Sequence, residues 1–86
     1  MDYASQRMVE KFSAQLDSTE AWLNAHVAGL TLRPKTRELV TSIRAYARHC
    51  RRRIARGDVT ISDMDRWRRK LEGSCVALWQ ATRLQR

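Results

Sequence analysis

Apolar residues recur along this chain at intervals of three, four and seven, the period that places side chains on one face of an α-helix. In the first third of the chain the pattern predicts a helix from about Tyr3 to Ala28, which Gly29 would end. Its apolar stripe consists of Val9, Phe12, Leu16, Leu23, Val27 and Leu30. The run Asp17-Ser18-Thr19-Glu20 has the spacing of a capping box, so a kink or two shorter helices near Asp17 are an alternative.

A second helix is predicted over residues 34–56. Pro34 suits a first helical turn, where its missing N–H costs nothing, and Thr31 or Arg33 would precede it as the cap. Gly57 can adopt the left-handed conformation that closes a helix. The buried stripe would consist of Val40, Ile43, Ala47, Cys50 and Ile54.

A third helix is predicted to follow the short connection at residues 57–59. It begins either at Thr60, with Asp63 completing the cap, or at Ser62, with Asp65 in that role. Gly73 would weaken it locally. Its apolar stripe would consist of Met64, Trp67, Leu71, Cys75 and Leu78.

Three helices of similar length with short connections predict an all-α fold, an antiparallel up-down-up three-helix bundle formed by a single domain over residues 1–86. No strand-type alternation extends over more than four residues. A chain of 86 residues has a small core, so formation of a homodimer is a natural way for it to bury more surface.

The rest of the composition argues against several classes of function. We expect a cytoplasmic protein that does not enter a membrane, because no leader pattern is present and no apolar run approaches the roughly 18 residues that span a bilayer. Cys50 and Cys75 would lie about 12 Å apart in the predicted bundle, beyond disulfide reach, and are read as small core residues. The sequence has no catalytic triad, paired carboxylates, phosphate-binding loop or metal-ligand cluster, so we expect neither an enzyme nor a cofactor.

Charge changes the picture most. The formal net charge is +8, with fourteen arginines against three lysines. Residues 48–70 contain nine basic residues against three aspartates, which accounts for +6 of that total. This segment would fold back at Gly57, so the basic residues would gather at one end of the molecule and favour an anionic partner.

The predicted second helix carries most of this charge on one side. Arg37, Arg44, Arg48 and Arg51 fall within about 60° of each other around the helix axis. Residues 36–56 contain seven arginines and one acid, Glu38, whereas a merely solvated face normally mixes signs. The first helix has an acidic excess, so part of the basic charge could be neutralised within the fold. The predicted nucleic-acid-binding residues are Arg37, Arg44, Arg48, Arg51, Arg52, Arg66 and Arg69.

Four large apolar residues lie outside or at the margin of the predicted core stripes. They are Met8, Trp22, Val76 and Trp79. We interpret them as an interface with a partner or with a second copy of the chain, since exposed tryptophan is common at interfaces. A wider core that covers all four is the alternative.

These features favour a small basic helical module that binds the backbone of DNA or RNA, either non-specifically or by its shape. The alternative is an adaptor or inhibitor, of the kind that phages and plasmids encode, whose arginines dock on an acidic protein while Trp22 and Trp79 anchor the contact.

Overall fold

A computed structural model describes residues 2–84 and contains three α-helices. Helix α1 spans Gln6–Val27, α2 spans Pro34–Arg56 and α3 spans Ile61–Arg83. The predicted all-α class is therefore confirmed, and no strand is present among the described residues. Within the same residues, no helix is apolar enough over a sufficient length to cross a bilayer.

Helix α1 begins later than the predicted Tyr3. Ser5 is the N-cap, and its side chain accepts a hydrogen bond from the backbone N–H of Met8. Residues 2–4 are not helical, because their backbone groups bond to the connection between α2 and α3: Ala4 N–H donates to Val59 O, and Asp2 O accepts from Ile61 N–H, each at 3.1 Å. This long-range pairing leaves no trace in local periodicity. The helix continues unbroken past Asp17, so a second helix does not start there.

Both ends of α2 and the start of α3 follow local rules. Pro34 occupies the first turn of α2 after Arg33 as N-cap, and Gly57 ends the helix at φ 77°. Thr60 caps α3 in a reciprocal capping box, since its hydroxyl accepts from Asp63 N–H at 3.0 Å and the Asp63 carboxylate accepts from Thr60 N–H at 3.1 Å. Thr60 is thus the start of α3, in preference to Ser62.

The three helices share one apolar core. It consists of Phe12, Leu16, Leu23, Val40, Ile43, Ala47, Cys50, Val59, Met64, Trp67, Leu71 and Leu78. Trp67 lies at its centre with 1% of its surface exposed, and Phe12 packs against it with ring centroids 6.0 Å apart. Most residues of the predicted stripes are confirmed as core. Val9, Val27 and Ile54 are partly buried against it, whereas Cys75 is half-buried and Leu30 lies beyond the end of α1, outside the core.

Helix α2 makes most of the contacts between helices, with α3 and with α1, whereas α1 and α3 approach each other least. The molecule is a rod of about 45 × 18 × 16 Å. Because α2 bridges the other two helices, its outer side is one long surface and the α1–α3 seam is another.

Candidate nucleic-acid interface

The outer side of α2 carries arginines that have no partner within residues 2–84. Arg48, Arg52 and Arg56 are exposed, lie four residues apart and form no hydrogen bond or ion pair with any described residue. At 100° per residue they point on average about 160° away from the buried stripe of α2. We call these three residues the outer arginine row; their full charge faces solvent.

Arg37 and Arg44 extend the row toward the N-terminus of α2, and neither of them has an acidic partner that would neutralise its charge. Arg37 donates to the backbone carbonyl of Leu32 at 3.3 Å, and Arg44 donates to the Asn24 side-chain oxygen at 2.8 Å. Both acceptors are neutral, so each guanidinium remains a net positive charge. Both residues are exposed, as a contact with a phosphate would require.

Arg51 lies on the same side of α2 as Arg44, seven residues away, but its charge is neutralised by acids of α1. Its guanidinium contacts Asp17 at 2.6 Å and Glu20 at 3.1 Å, and the hydrogen bonds to Glu20 and then to Asp17 raise the pKa of Arg51 above its usual value. Arg51 therefore joins α2 to α1, and its charge is offset within the fold. The acidic excess of the first helix indicated such neutralisation, but not which arginine it involves.

The basic residues of α3 are largely paired with acids of the same helix. Arg69 contacts Asp65 at 2.6 Å, and Arg68 contacts Asp65 at 2.8 Å and Glu72 at 3.2 Å. The hydrogen bond from Arg68 is the main reason that the pKa of the Asp65 carboxyl lies below its ordinary value.

Arg66 and Lys70 lie on the side of α3 that adjoins α2. Arg66 contacts Asp63 at 3.0 Å but stays 65% exposed, and its charge acts on Tyr46 of α2. Burial raises the pKa of Tyr46, while the nearby Arg66 opposes that shift. Lys70 is exposed and forms no ion pair with any described residue. These two cations broaden the basic surface from α2 onto α3.

One arginine of this region serves the fold. Arg53 lies over the Trp67 ring, 5.6 Å from its centroid, and contacts Asp58 at 3.4 Å and Asp63 at 3.5 Å. It closes the α2–α3 connection over the core. Its neighbour Arg52 is one position, or about 100°, away and belongs to the outer row.

The predicted site residues therefore divide into two groups. Arg37, Arg44, Arg48 and Arg52 lie on α2 without an acidic partner, whereas Arg51, Arg66 and Arg69 contact acids. Arg56 and Lys70 belong to the surface but were not predicted as site residues. The four-residue spacing from Arg48 through Arg52 was the signal for Arg56.

Of the predicted interface residues, Trp22 lines a groove at the α1–α3 seam and Met8 lines a smaller hollow beside it. Trp79 shares a side of α3 with the groove residue Glu72, seven positions earlier, whereas Val76 lines neither the groove nor the hollow. Met8, Trp22, Val76 and Trp79 are 39%, 36%, 55% and 45% exposed, so they are outside the core. A groove of about 540 Å³ runs between the two helices, with Phe12 and Leu71 in its floor and Trp22 and Cys75 in its walls. Trp22 stacks on His26, whose Nε2 lies 2.7 Å from the Thr82 hydroxyl.

The thiols and acids do not form a reactive or metal-binding cluster. Cys50 and Cys75 are free, and burial raises the pKa of the Cys50 thiol to about 11. No group of three His, Cys, Asp or Glu side chains within the described chain is arranged to hold a metal ion. What remains as a candidate site is the basic surface of α2.

Comparison with known proteins gives no guide to the function, because no family model, curated protein or solved structure matches this chain significantly.

Proposed function

We propose that this protein binds the sugar–phosphate backbone of nucleic acid through the outer side of α2. The observation that carries this proposal is the outer arginine row, three exposed guanidiniums on one side of one helix that have no partner among residues 2–84. Arg37 and Arg44 extend the row, and Arg66 and Lys70 widen it. The positive charges of a row of unpaired arginines repel one another. Phosphate groups bound along the row would relieve this repulsion, and binding would release the counterions condensed on the nucleic acid.

We infer an up-down-up order of the helices, in which this surface runs along α2, the helix between the other two. On α1 and α2, Arg44 contacts Asn24 whereas Arg51, further along α2, contacts the earlier residues Asp17 and Glu20. This register supports opposite directions. From Arg37 to Arg56 this surface extends about 28 Å at 1.5 Å per residue, so it could follow about 8 base pairs at 3.4 Å per step.

The absence of an inserted reading element supports backbone recognition over base reading. The first turn of α3 carries Asp63, which would face phosphate if that helix entered a groove as in a helix-turn-helix. The proposal is therefore binding by charge and shape, to DNA or RNA.

The test is fluorescence-anisotropy titration of labelled duplex DNA, single-stranded DNA and duplex RNA at several salt concentrations. The logarithm of the affinity for duplex DNA should fall with the logarithm of salt by roughly 0.9 per phosphate contacted. With three to five arginines engaged, the slope would be about −3 to −5. Affinity that does not change with salt, or no binding at low salt, would refute the proposal.

Two matched variants locate the surface. Arg48→Gln with Arg52→Gln should flatten the salt slope by about 2 and leave the free energy of unfolding nearly unchanged. Arg51→Gln, on the same helix, should leave the salt slope unchanged and lower stability by about 1 kcal/mol through loss of its link to α1. Equal effects of both variants on binding would contradict the assignment.

The alternative of an adaptor or inhibitor that uses arginines and tryptophans in one contact is less favoured. The outer arginine row and Trp22 lie on different sides of the rod, so one compact partner would not reach both. Binding that depends on Trp22 but not on Arg48 and Arg52 would favour this alternative.

A further inference from the structure

We propose that the α1–α3 seam is a homodimer interface, in which two copies stack their grooves with their α1 helices antiparallel about a two-fold axis at Gln15. This inference does not depend on nucleic-acid binding. It concerns the side of the molecule that the proposed function leaves unused.

The first support is the apolar surface that the seam exposes. Trp22 and Trp79 stand at its C-terminal half, and Met8 stands at its N-terminal half beside a second hollow of about 280 Å³ lined by Ile61 and Met64. Large apolar side chains grouped on one side of so small a chain are typical of surfaces that a partner covers.

The second support is self-complementarity along α1. Met8, Gln15 and Trp22 are seven residues apart and share one side of the helix, with the two apolar residues equidistant from Gln15. A two-fold axis at Gln15 therefore places Trp22 of each copy against Met8 of the other. The indole would enter the second hollow, because that hollow includes Met8 in its wall.

The third support is charge. Two chains of +8 repel each other, so a dimer requires an interface away from the unpaired arginines. The seam meets this requirement, since the guanidinium of Arg68 at its middle is offset by Asp65 and Glu72, and the other cation that lines its groove and hollow is a lysine, Lys11. The outer arginine rows of the two copies would face away from each other. A second copy of this chain needs its interface far from the outer arginine row, because both copies carry the same positive charge. A partner protein without that charge has no such need.

The fourth support is area. One long side of the rod measures about 45 by 18 Å, or ~800 Å², which is the area per partner that a standard stable interface buries. The dimer would also bury residues that a chain of 86 residues cannot cover alone.

The test begins with mass by light scattering and sedimentation over roughly 1–300 µM protein. We expect a mass near twice 10.1 kDa at the upper concentrations. Raising the salt from roughly 50 to 500 mM should strengthen the dimer by screening repulsion, whereas it should weaken nucleic-acid binding. The opposite signs separate failure of this inference from failure of the proposed function.

Variants then place the interface. Trp22→Ala and Met8→Glu should each weaken dimerisation at least tenfold, while Leu84→Ala, which removes an exposed apolar residue outside the seam, should not. Circular dichroism checks that each variant remains folded, and Met8→Glu changes an exposed position on which the core does not depend.

Cross-linking tests the two-fold axis. In a Cys75→Ser background, Gln15→Cys should form a disulfide-linked dimer on mild oxidation, because facing residues at a two-fold axis lie within disulfide range. Ala45→Cys, on the exposed outer side of α2, is the control and should not cross-link at the same rate. A monomer at all concentrations, a dimer that Trp22→Ala does not weaken, equal cross-linking at both positions, or a different protein found in the groove of a monomeric chain would each overturn the inference.

Discussion

Asp63 has more partners than any other acid of the described chain. Its carboxylate accepts from Thr60 N–H at 3.1 Å and contacts Arg66 at 3.0 Å and Arg53 at 3.5 Å, although only 15% of the side chain is exposed. The backbone hydrogen bond from Thr60 is the largest cause that lowers the pKa of this carboxyl, and the two arginines act in the same direction. One residue thus caps α3 and fastens it to α2.

Acid should therefore weaken the fold through Asp63. A carboxyl whose pKa is lower in the folded state stabilises fully above its ordinary pKa of about 3.9, and that stability is lost as the pH falls through the folded value. We predict that Asp63→Asn lowers the free energy of unfolding at pH 7 and that its deficit relative to the parent shrinks below about pH 4. Urea unfolding at a series of pH values measures this.

Thr60→Val is the matched control for that series. It removes the hydroxyl that accepts from Asp63 N–H, while the shape of the side chain is kept. It should cost about 1 kcal/mol, as loss of a cap does, and most of the cost should persist in acid. A constant deficit for Asp63→Asn across the whole pH range would show that its ionised form contributes nothing.

At the scale of single residues, the sequence could not predict which arginines form ion pairs. Arg48, Arg51 and Arg52 are alike in type and neighbours in sequence, yet only Arg51 reaches Asp17 and Glu20. Those acids lie 34 and 31 positions away and meet Arg51 only because the helices pack in one register. The net charge follows from the sequence alone, whereas the division of the arginines into paired and unpaired residues depends on tertiary contacts.

The helices themselves were largely predictable, because their ends are set by local chemistry. Pro34, Gly57 and the Thr60–Asp63 pair each act within four residues, and they define both ends of α2 and the start of α3. The start of α1 was missed by three positions, since the backbone of residues 2–4 bonds to the distant residues Val59 and Ile61. Where contacts with residues far along the chain determine a helix end, the pattern of apolar residues does not predict that end.

Two glycines allow a test of how local backbone conformation affects the stability of a helix. Gly57 ends α2 with φ 77°, whereas Gly73 lies inside α3, and a Cβ added at either would meet nothing within 4 Å. A steric clash is therefore not expected at either position, and the two positions differ only in their backbone conformation. Gly73→Ala should stabilise the fold by about 1 kcal/mol, because alanine favours the helix.

Gly57→Ala should destabilise it by about 1 kcal/mol, because the left-handed conformation disfavours a side chain. Thermal and urea unfolding of the two variants, measured side by side, give the comparison. Changes of the same sign would indicate that the effect at one of the positions comes from a contact rather than from the backbone.

For the whole molecule, the two proposed surfaces follow from the central place of α2. Because α2 bridges α1 and α3, its arginines have one side of the rod to themselves, and the apolar residues left over from the core collect at the seam on the other. The four exposed apolar residues could be found from sequence, since they fall off the core stripes. That Trp22 lines a groove between α1 and α3, and that Met8 lines a hollow beside it, requires the packed structure.

A dimer joined at the seam would carry two outer arginine rows on opposite sides, and this has a consequence that neither surface has alone. Such a dimer should hold two nucleic-acid segments at once, whereas a monomer holds one. Mixing donor-labelled and acceptor-labelled duplexes with the protein should therefore produce energy transfer between duplexes at moderate salt. The transfer should rise and then fall as protein is added, because excess dimer occupies each duplex separately.

The Met8→Glu variant separates bridging from binding. It leaves the outer arginine row intact, so it should bind a single labelled duplex with at most a few-fold change in affinity, yet give little transfer between duplexes. The variant with Arg48→Gln and Arg52→Gln should lose both signals. Transfer that persists in Met8→Glu while light scattering finds that variant monomeric would mean that one chain has two nucleic-acid surfaces, and bridging would then not require the dimer.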